Sequence, residues 1–560
     1  MATPTAVGPD ARARLPFNPT LFPVLTPDQL GRAQGFGRKR SVDSGEILLE
    51  VGDRPPGIFI ITRGRLEIVR PSEQGEVVAT ELGPGQFTGE VGMLSGRTAL
   101  VRIRAIAPSE VIEVDREHLL TIVQTETELS DILMRSFVLR RVELIARGFS
   151  DVVLIGSNHC AGTLRIRDFL NRNDHPYSEI DLDREADVQE LLDRFHVSIA
   201  DVPVLICRGK MVLRNPTNQQ IADCLGFNAV VDVTKSRDLV IVGAGPSGLA
   251  AAVYGASEGL DVLVVEGIAP GGQAGSSSKI ENYLGFPTGI SGHELATAAQ
   301  AQAQKFGAEL LIARAATRLN CGRKPYALEA GSDRMTGRAI IIATGAEYRK
   351  LAVDNITRFE GAGVYYNATP MEAQLCRGEE VIVVGGGNSA GQAAVFLAQS
   401  TKRVHMLVRS KGLAETMSRY LINRIEHHPS IDLRVRTEVV KLEGDRHLER
   451  VTWRDAGSGE VETREVRHLF VMAGAVPNTR WLEGCVVLDD KGFIKTGADL
   501  TRDELASAGW PLARMPYLLE TSLPRVFAVG DVRSGNLKRV ASAVGEGSIA
   551  VALIHRSLQE

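Results

Sequence analysis

The chain has 560 residues, enough for three or four domains at roughly 150 residues each. Its 44% hydrophobic and 24% charged residues exclude a disordered chain, a collagen and a coiled-coil rod. With 64 basic against 68 acidic residues the net charge is −4, so charge gives no reason to expect nucleic acid or an anionic membrane as partner. No run approaches the roughly 18 apolar residues of a membrane span. The opening MATPTAVGPDARARLPF lacks an apolar signal core, which makes the cytoplasm the default expectation. The cysteines at 160, 207, 224, 321, 376 and 485 form no C-x-x-C, so neither a disulfide framework nor a zinc site is expected.

In chain order, the first block (20–148) opens with short alternating apolar runs between Gly45 and Asp115, punctuated by Gly, Pro and Asp. That rhythm predicts a small β-barrel or jelly roll, followed by helix from about Arg116 to Arg147. Within it, FTGEVGMLSGRTALVRIRA (87–105) resembles the phosphate-binding cassette of cyclic-nucleotide-binding domains. The resemblance implies that Gly89 allows a tight turn, Glu90 bonds a ribose hydroxyl, Arg97 pairs with the cyclic phosphate and Thr98 adds a hydroxyl. Cyclic AMP and cyclic GMP are the implied ligands. A docking or dimerisation surface is the alternative for this block.

The second block (149–228) reads strand DVVLIGS, a helix over 164–171, strand YSEIDLD, helix ADVQELLDRF, strand ADVPVLICRGK, strand MVLR and helix TNQQIADCLGF. This order resembles the thioredoxin and glutaredoxin fold. Cys160 stands at the family's first cysteine position and Thr163 at its second, and Val202-Pro203 falls where the family has a cis-proline. A thiol at a helix start has its pKa lowered by the helix dipole, so Cys160 is the candidate catalytic nucleophile; a retired active site is the alternative. Cys207 and Cys224 are expected in the core.

The third block begins with strand DLVIV, then Gly243-Ala244-Gly245-Pro246-Ser247-Gly248, a helix and a strand ending at Glu266. Strand, G-x-G-x-x-G, helix, strand and acid form a dinucleotide fingerprint, with Glu266 placed for a ribose diol. A second copy follows: strand EEVIVV, the turn Gly385-Gly386-Gly387-Asn388-Ser389-Ala390, a helix, then strand RVHMLV. Here Val408 replaces the acid and Arg409 and Lys411 come next, a pattern that favours the 2′-phosphate of NADPH. Two such folds imply a two-cofactor oxidoreductase using FAD and NADPH.

Residues 238–560 resemble the low-molecular-weight thioredoxin reductases. The resemblance rests on Gly271-Gly272-Gln273, Glu281-Asn282 in KIENYLGFP, Ala343-Thr344-Gly345-Ala346, the return crossing AGAVPNT (473–479) and Phe527-Ala528-Val529-Gly530-Asp531. It implies a split FAD domain (233–350 and 473–560) enclosing an NAD(P)H domain (351–472), two Rossmann-like units in all. It also implies flavin contacts from Gly272, Gln273, Asn282, Thr344, Gly345, Gly530 and Asp531, and a homodimer. Lys538-Arg539-Val540 replace the usual Arg-Gln-Ala beside the flavin, where a cation at Arg539 would stabilise reduced flavin. The family's redox C-x-x-C is absent: its four positions read Ala368-Thr369-Pro370-Met371. Cys376 is expected to be structural, a substitute redox thiol being the alternative; Tyr365 and Tyr366 are expected in the core, stacking near the flavin being the alternative; His427 and His428 are expected to be solvated, and residues 499–510 to be a surface insertion.

Three functions remain open on the sequence: reduction of a disulfide or thiol-linked acceptor through Cys160, a diaphorase or ferredoxin (flavodoxin) reductase, and a non-enzymatic redox or nucleotide sensor. No metal, nucleic acid or membrane partner is expected.

Overall fold

A computed structural model describes residues 19–560 except 73–74, 95, 147–151, 158–159, 183–200, 208–210, 229–230, 278–279, 281, 323, 332, 361, 367, 369, 446 and 483. The expected helix ADVQELLDRF, Glu281 and Thr369 lie outside the described residues.

The N-terminal strands do not close into the expected barrel. They form two sheets, one ordered Arg38–Val42, Ser109–Asp115, Gly57–Arg63, the other Ile47–Leu49, Arg102–Ala105, Leu66–Ser72, Gly75–Leu82. The chain changes sheet at Gly64, whose φ of +87° only glycine adopts readily and where a Cβ would lie 2.3 Å from Ser109 Oγ. Phe59, Ile61, Leu66, Ile68, Ile103 and Val111 fill the space between the sheets. Helix α1 (Thr127–Ala146) covers the other side through Leu129, Leu133 and Phe137 against Ile58, Ile60 and Phe87.

The middle unit is a four-stranded sheet ordered Met211–Arg214, Val204–Cys207, Val152–Gly156, Ser178–Asp181. The last two strands run parallel; Val204–Cys207 is antiparallel to both of its neighbours. Helices α2 (Ala161–Arg172) and α3 (Asn218–Leu225) bury Ile166, Phe169, Leu170, Ile221 and Leu225 against the sheet. That same core takes in Ile312 and Ala313 of the following unit.

Next comes a sheet ordered Glu309–Ile312, Val262–Glu266, Ser236–Val242, Asp333–Ile342, Tyr326–Ala330, Ala316–Asn320, with Val526–Ala528 joining beside Asp333–Ile342. Strands buried on both faces (Leu239 to Val242, Ile340 to Ile342) explain the continuous apolar runs in the sequence. Helices α4 (Pro246–Ser257), α5 (Gly292–Lys305) and, at the far end of the chain, α7 (Val540–Leu558) pack on it. Between them is inserted a parallel sheet ordered Val364–Tyr365, His468–Val471, Glu380–Val384, Arg403–Val408, Ile431–Val435, covered by helix α6 (Asn388–Leu397). The chain leaves and returns through an antiparallel ribbon, Ala346–Tyr348 against Ala475–Pro477.

One covalent feature overturns a sequence expectation. Cys321 and Cys485 form a disulfide, Cα–Cα 5.8 Å, across 164 residues of chain. Sequence distance hid the pair, since the whole inserted unit lies between the two residues. The other expectations for this region hold in part: Tyr365 and Tyr366 are half-buried at the edge of the core rather than within it, and His428 is half-buried rather than solvated. Cys376 is fully buried, and burial pushes its thiol up to about 12. Tyr365 packs on His468 and Phe470, His427 is exposed, and the short helix Arg502–Ser507 is mostly exposed. Cys207 is buried, but Cys224 is only half-buried.

Candidate functional site

The first glycine turn sits between strand Ser236–Val242 and α4. Gly243 has φ +105°, and a Cβ there would lie 2.4 Å from the Ala343 carbonyl. Gly245 caps α4 with no side-chain hydrogen bond, and Pro246 occupies the first turn. A Cβ on Gly245 would meet nothing nearer than Gly272 Cα at 3.9 Å, so the approach to the helix N-terminus is open. Ser247 and Gly248 are buried in that first turn. Glu266 ends the adjacent strand and is oriented by two backbone amides, Ala244 (2.7 Å) and Ile268 (2.8 Å). An uncapped helix N-terminus, glycine-only backbone and a fixed carboxylate fit a dinucleotide pyrophosphate and its ribose.

The second turn repeats the design. Gly385 has φ +143° and abuts the Met472 carbonyl; Gly387 caps α6 without a side-chain bond; Asn388, Ser389 and Ala390 begin the helix. Asn388 Oδ1 accepts from the Ser418 amide at 2.7 Å, tying the turn to the next segment. Val408 is buried against Gly386, while Arg409, Ser410 and Lys411 are exposed just beyond the strand. Two cations and no acid therefore stand at the position that would meet the ribose 2′ substituent.

The elements expected around the flavin converge. Gln273 Nε2 donates to the Ala346 carbonyl (2.9 Å) and Thr344 Oγ1 to the Asn478 carbonyl (2.9 Å), so both lie at the crossing ribbon. Gly345 has φ +63°. Gly530, at φ +74°, lies against Ser247, where a Cβ would be 2.5 Å from Ser247 Oγ. Burial raises the pKa of Asp531, with Lys538 opposing. Lys538, Arg539 and Val540 lead into α7, Arg539 as its N-cap; Lys538 and Arg539 are exposed, as is Asn282. Sequence reasoning missed Glu546 on α7. It accepts from the Gly530 amide (2.7 Å) and from Arg533 (2.6 Å) and Asn536 (2.8 Å), fixing the turn that carries Asp531. Ala368, Pro370 and Met371 precede or begin a short helix, Pro370–Leu375, with no cysteine among them.

Cys160 is the N-cap of α2 and is half-buried. Val202–Pro203 is cis, and a Cβ on Gly162 would lie 3.0 Å from Pro203, so that proline lies against the helix start, as the sequence implied. Thr163 Oγ1 is buried without a hydrogen-bond partner. The opposite end of α2 faces the first dinucleotide unit: Arg172 Nη2 donates to the Gly272 carbonyl at 3.2 Å. The 12 residues of α2 span roughly 18 Å, which separates Cys160 from that contact.

The cassette departs most from expectation. Glu90 turns onto its own loop, accepting from the Gly92 amide at 2.9 Å, with Arg141 at 3.8 Å. Gly89 does supply the tight turn, at φ +109°. Arg97 and Thr98, expected to face a phosphate, instead hold the middle unit. Arg97 Nη1 donates to the Asn173 carbonyl (2.8 Å) and its guanidinium lies 5.0 Å over the Phe227 ring; Thr98 Oγ1 donates to the Leu225 carbonyl (2.8 Å). Both acceptors are carbonyls at helix C-terminal ends, which carry partial negative charge and suit a cation or hydroxyl donor.

Two dinucleotide turns on separate parallel sheets, joined by a two-stranded crossing, define a flavin- and nicotinamide-dependent oxidoreductase. Residues 237–547 match the pyridine nucleotide-disulphide oxidoreductase family and residues 39–126 match the cyclic nucleotide-binding domain. The chain belongs to the pyridine nucleotide-disulphide oxidoreductase family and is thioredoxin reductase-like. It is 32% identical to the thioredoxin reductase of Chlamydia trachomatis over 57% of this chain and 98% of that protein. Against the NADPH-dependent thioredoxin reductase 3 of Arabidopsis thaliana it is 30% identical, covering 62% of this chain and 65% of that protein. The crystal structure of Lactococcus lactis thioredoxin reductase superposes with a TM-score of 0.52 at 27% identity, covering 58% of this chain and 99% of that one.

Proposed function

We propose that this enzyme uses NADPH and FAD to reduce a disulfide or thiol-linked acceptor, with Cys160 as the thiol that engages it. The four parts are a cyclic-nucleotide-binding-like domain (20–148), a thioredoxin-like domain (149–228), a split FAD domain (233–350 and 473–560) and an NADPH domain (351–472). The observation that carries the reading is the pair of uncapped helix N-termini, α4 and α6, each behind a positive-φ glycine and linked by the ribbon Ala346–Tyr348 with Ala475–Pro477. Bound FAD would supply the redox chemistry between the two-electron donor NADPH and the acceptor. Glu266 holds the adenosine ribose of FAD, Asp531 and Gly530 its ribityl chain, and Arg409 and Lys411 the 2′-phosphate of NADPH. One NADPH and one proton convert one disulfide to two thiols and NADP⁺.

The thioredoxin-like assignment is supported by the sheet order, the N-cap position of Cys160 and the proline lying against the same helix start. A cyclic nucleotide is the proposed ligand of Glu90, Arg97 and Thr98. The protein is proposed to act as a cytoplasmic homodimer without nucleic acid or membrane partner; among the described residues no helix is long and apolar enough to cross a membrane.

Anaerobic titration with NADPH, watched at the flavin absorption band and followed by glutathione disulfide and oxidised thioredoxin, tests the reading. Flavin bleaching by NADPH and turnover with a disulfide are expected, and Cys160→Ser abolishes the second while sparing the first. The roughly 18 Å between Cys160 and the Gly272 contact favours one alternative, a diaphorase or ferredoxin (flavodoxin) reductase whose electrons bypass Cys160. Undiminished disulfide turnover by Cys160→Ser would select it. Absence of any NADPH oxidation would select the non-enzymatic sensor.

A further inference from the structure

We propose that the cassette is a latch: the donors that would bind a cyclic phosphate hold the thioredoxin-like domain in place, so that nucleotide binding and domain docking exclude each other. This rests on the cyclic-nucleotide reading above and adds what the ligand does.

Among the described residues, four hydrogen bonds cross this face with one polarity. Arg97 and Thr98 donate to the carbonyls of Asn173 and Leu225, Arg141 to the carbonyl of Asp174, and Arg54 to the carbonyl of Asn228 (3.0 Å). The acceptors cluster where α2 and α3 end. Two helix C-termini thus present to the cassette what an anion would present: oxygen acceptors with negative potential. The fit is tight, since a Cβ on Gly226 would come within 2.5 Å of Thr98 Cγ2.

The substitute is weaker than a phosphate. Arg97, Arg140 and Arg141 are all buried, and Glu90 and Asp174 are the acids that face this cluster. Arg97 Nε and Arg140 Nη2 are buried with no hydrogen-bond partner. Desolvation draws Arg97 down to about 10 and Arg140 to about 9, the mark of positive charge that neutral carbonyls do not fully offset. A cyclic phosphate brings a full negative charge and charge-assisted bonds to the same donors. A phosphate seated on Arg97 would need the space beside its guanidinium that the Asn173 carbonyl and the Phe227 ring now fill.

The latch reaches the flavin side through the same few residues. Arg172 bonds the Gly272 carbonyl, Asn173 Nδ2 the Ile268 carbonyl (3.3 Å), and Asp174 accepts from His293 (2.6 Å) and Thr297 (2.9 Å) of α5. Asn228 pairs both ways with Ile312 (3.0 and 2.7 Å). The segments held by the cassette on one side are those that pin the domain beside Gly272 on the other. Releasing them removes part of the constraint that holds the C-terminal end of α2, rather than its Cys160 end, beside Gly272.

The test uses the full chain, the variant Gly226→Asn and two readouts. Asparagine tolerates the left-handed backbone at this position (φ +64°) and adds a wedge against Thr98 without substituting any residue of the cassette. Because coupling is reciprocal, Gly226→Asn binds cyclic AMP or cyclic GMP about tenfold more tightly than wild type by calorimetry. In wild type, saturating nucleotide speeds amide hydrogen exchange in residues 171–175 and 223–228. Binding that leaves this exchange unchanged or slowed, equal affinity of variant and wild type, or no binding of either nucleotide to either protein overturns the latch. NADPH-dependent disulfide turnover is measured separately: faster exchange without such turnover keeps the latch and rejects the disulfide reading.

Discussion

Breaking the Cys321–Cys485 disulfide tests whether the cross-link constrains the chain. Its two ends lie 164 residues apart in sequence, at the end of strand Ala316–Asn320 and just after the return crossing. In the chain-entropy description, closing a loop of that length lowers the entropy of the unfolded state by an amount worth about 5 kcal/mol at 25 °C. Native packing sets how much of this appears. Leu482 is buried in the same core as Leu319, with Cys485, Val486 and Leu488 packed against it, so both ends stay in place without the bond. The loss on mutation is therefore dominated by the unfolded chain, and about 2–5 kcal/mol is expected for Cys485→Ser.

The assay is urea unfolding of flavin-loaded protein followed by flavin fluorescence, comparing oxidised wild type, reduced wild type and Cys485→Ser. Reduced wild type and the variant should unfold at the same lower midpoint, and the unreduced, denatured wild type should expose four alkylatable thiols, those at 160, 207, 224 and 376. Coincident midpoints for oxidised and reduced protein, with four thiols counted, would refute the loop-entropy reasoning. Six thiols in air-equilibrated protein would refute the bond itself.

Asp531→Ala should purify with little or no flavin, read as the ratio of flavin to protein absorbance, because Asp531 is the proposed ribityl ligand and Glu546 fixes the Gly530 turn that carries it. Arg409→Ala should raise the KM for NADPH about tenfold or more and leave that for NADH unchanged, since an exposed cation there serves only the 2′-phosphate. The His293–Asp174 bond makes docking of the middle unit pH-dependent. The hydrogen bond to Asp174 raises the His293 pKa against the opposing effect of burial. A raised histidine stabilises the folded contact fully below its unfolded value, about 6.5, and loses that contribution as pH climbs through the folded value. Hydrogen exchange near Asn173 should thus speed up from pH 6 to pH 9 beyond the intrinsic chemical rate, and His293→Ala should abolish that excess.

What was legible in the sequence was chemistry carried by residue type. Gly243 and Gly385 announced their turns because only glycine accepts φ beyond +100° against a neighbouring carbonyl. Glu266, Val408 and Arg409 were readable because their distance from the first glycine places them at a strand end. The docking of the three N-terminal parts was illegible for the converse reason. Its acceptors are the backbone oxygens of Asn173, Leu225 and Asn228, which any residue would supply. Glu546 was missed because it caps a glycine amide 16 residues earlier, a pairing with no fixed spacing. The closed barrel was not legible because the chain passes between the two sheets at several turns, Gly64 among them, rather than pairing each strand with the next.

Helix α2 joins the two questions this chain poses. Its N-terminus carries the thiol, its C-terminus carries the contacts to Gly272, Ile268, Arg97 and, through Asp174, His293. A helix of 12 residues is rigid on this scale, so it cannot bring both ends to one flavin. While the C-terminal end is latched, Cys160 stays a helix length, roughly 18 Å, from the end of α2 that contacts Gly272. Ala368 and Met371, beside and within the short helix Pro370–Leu375, offer no thiol. Transfer through Cys160 would require the domain to leave the contacts that Arg172 and Asn173 make with Gly272 and Ile268. An arginine that trades a helix carbonyl for a phosphate would act on one of the several contacts that hold that end of α2, which is where the proposed latch and the path to Cys160 meet.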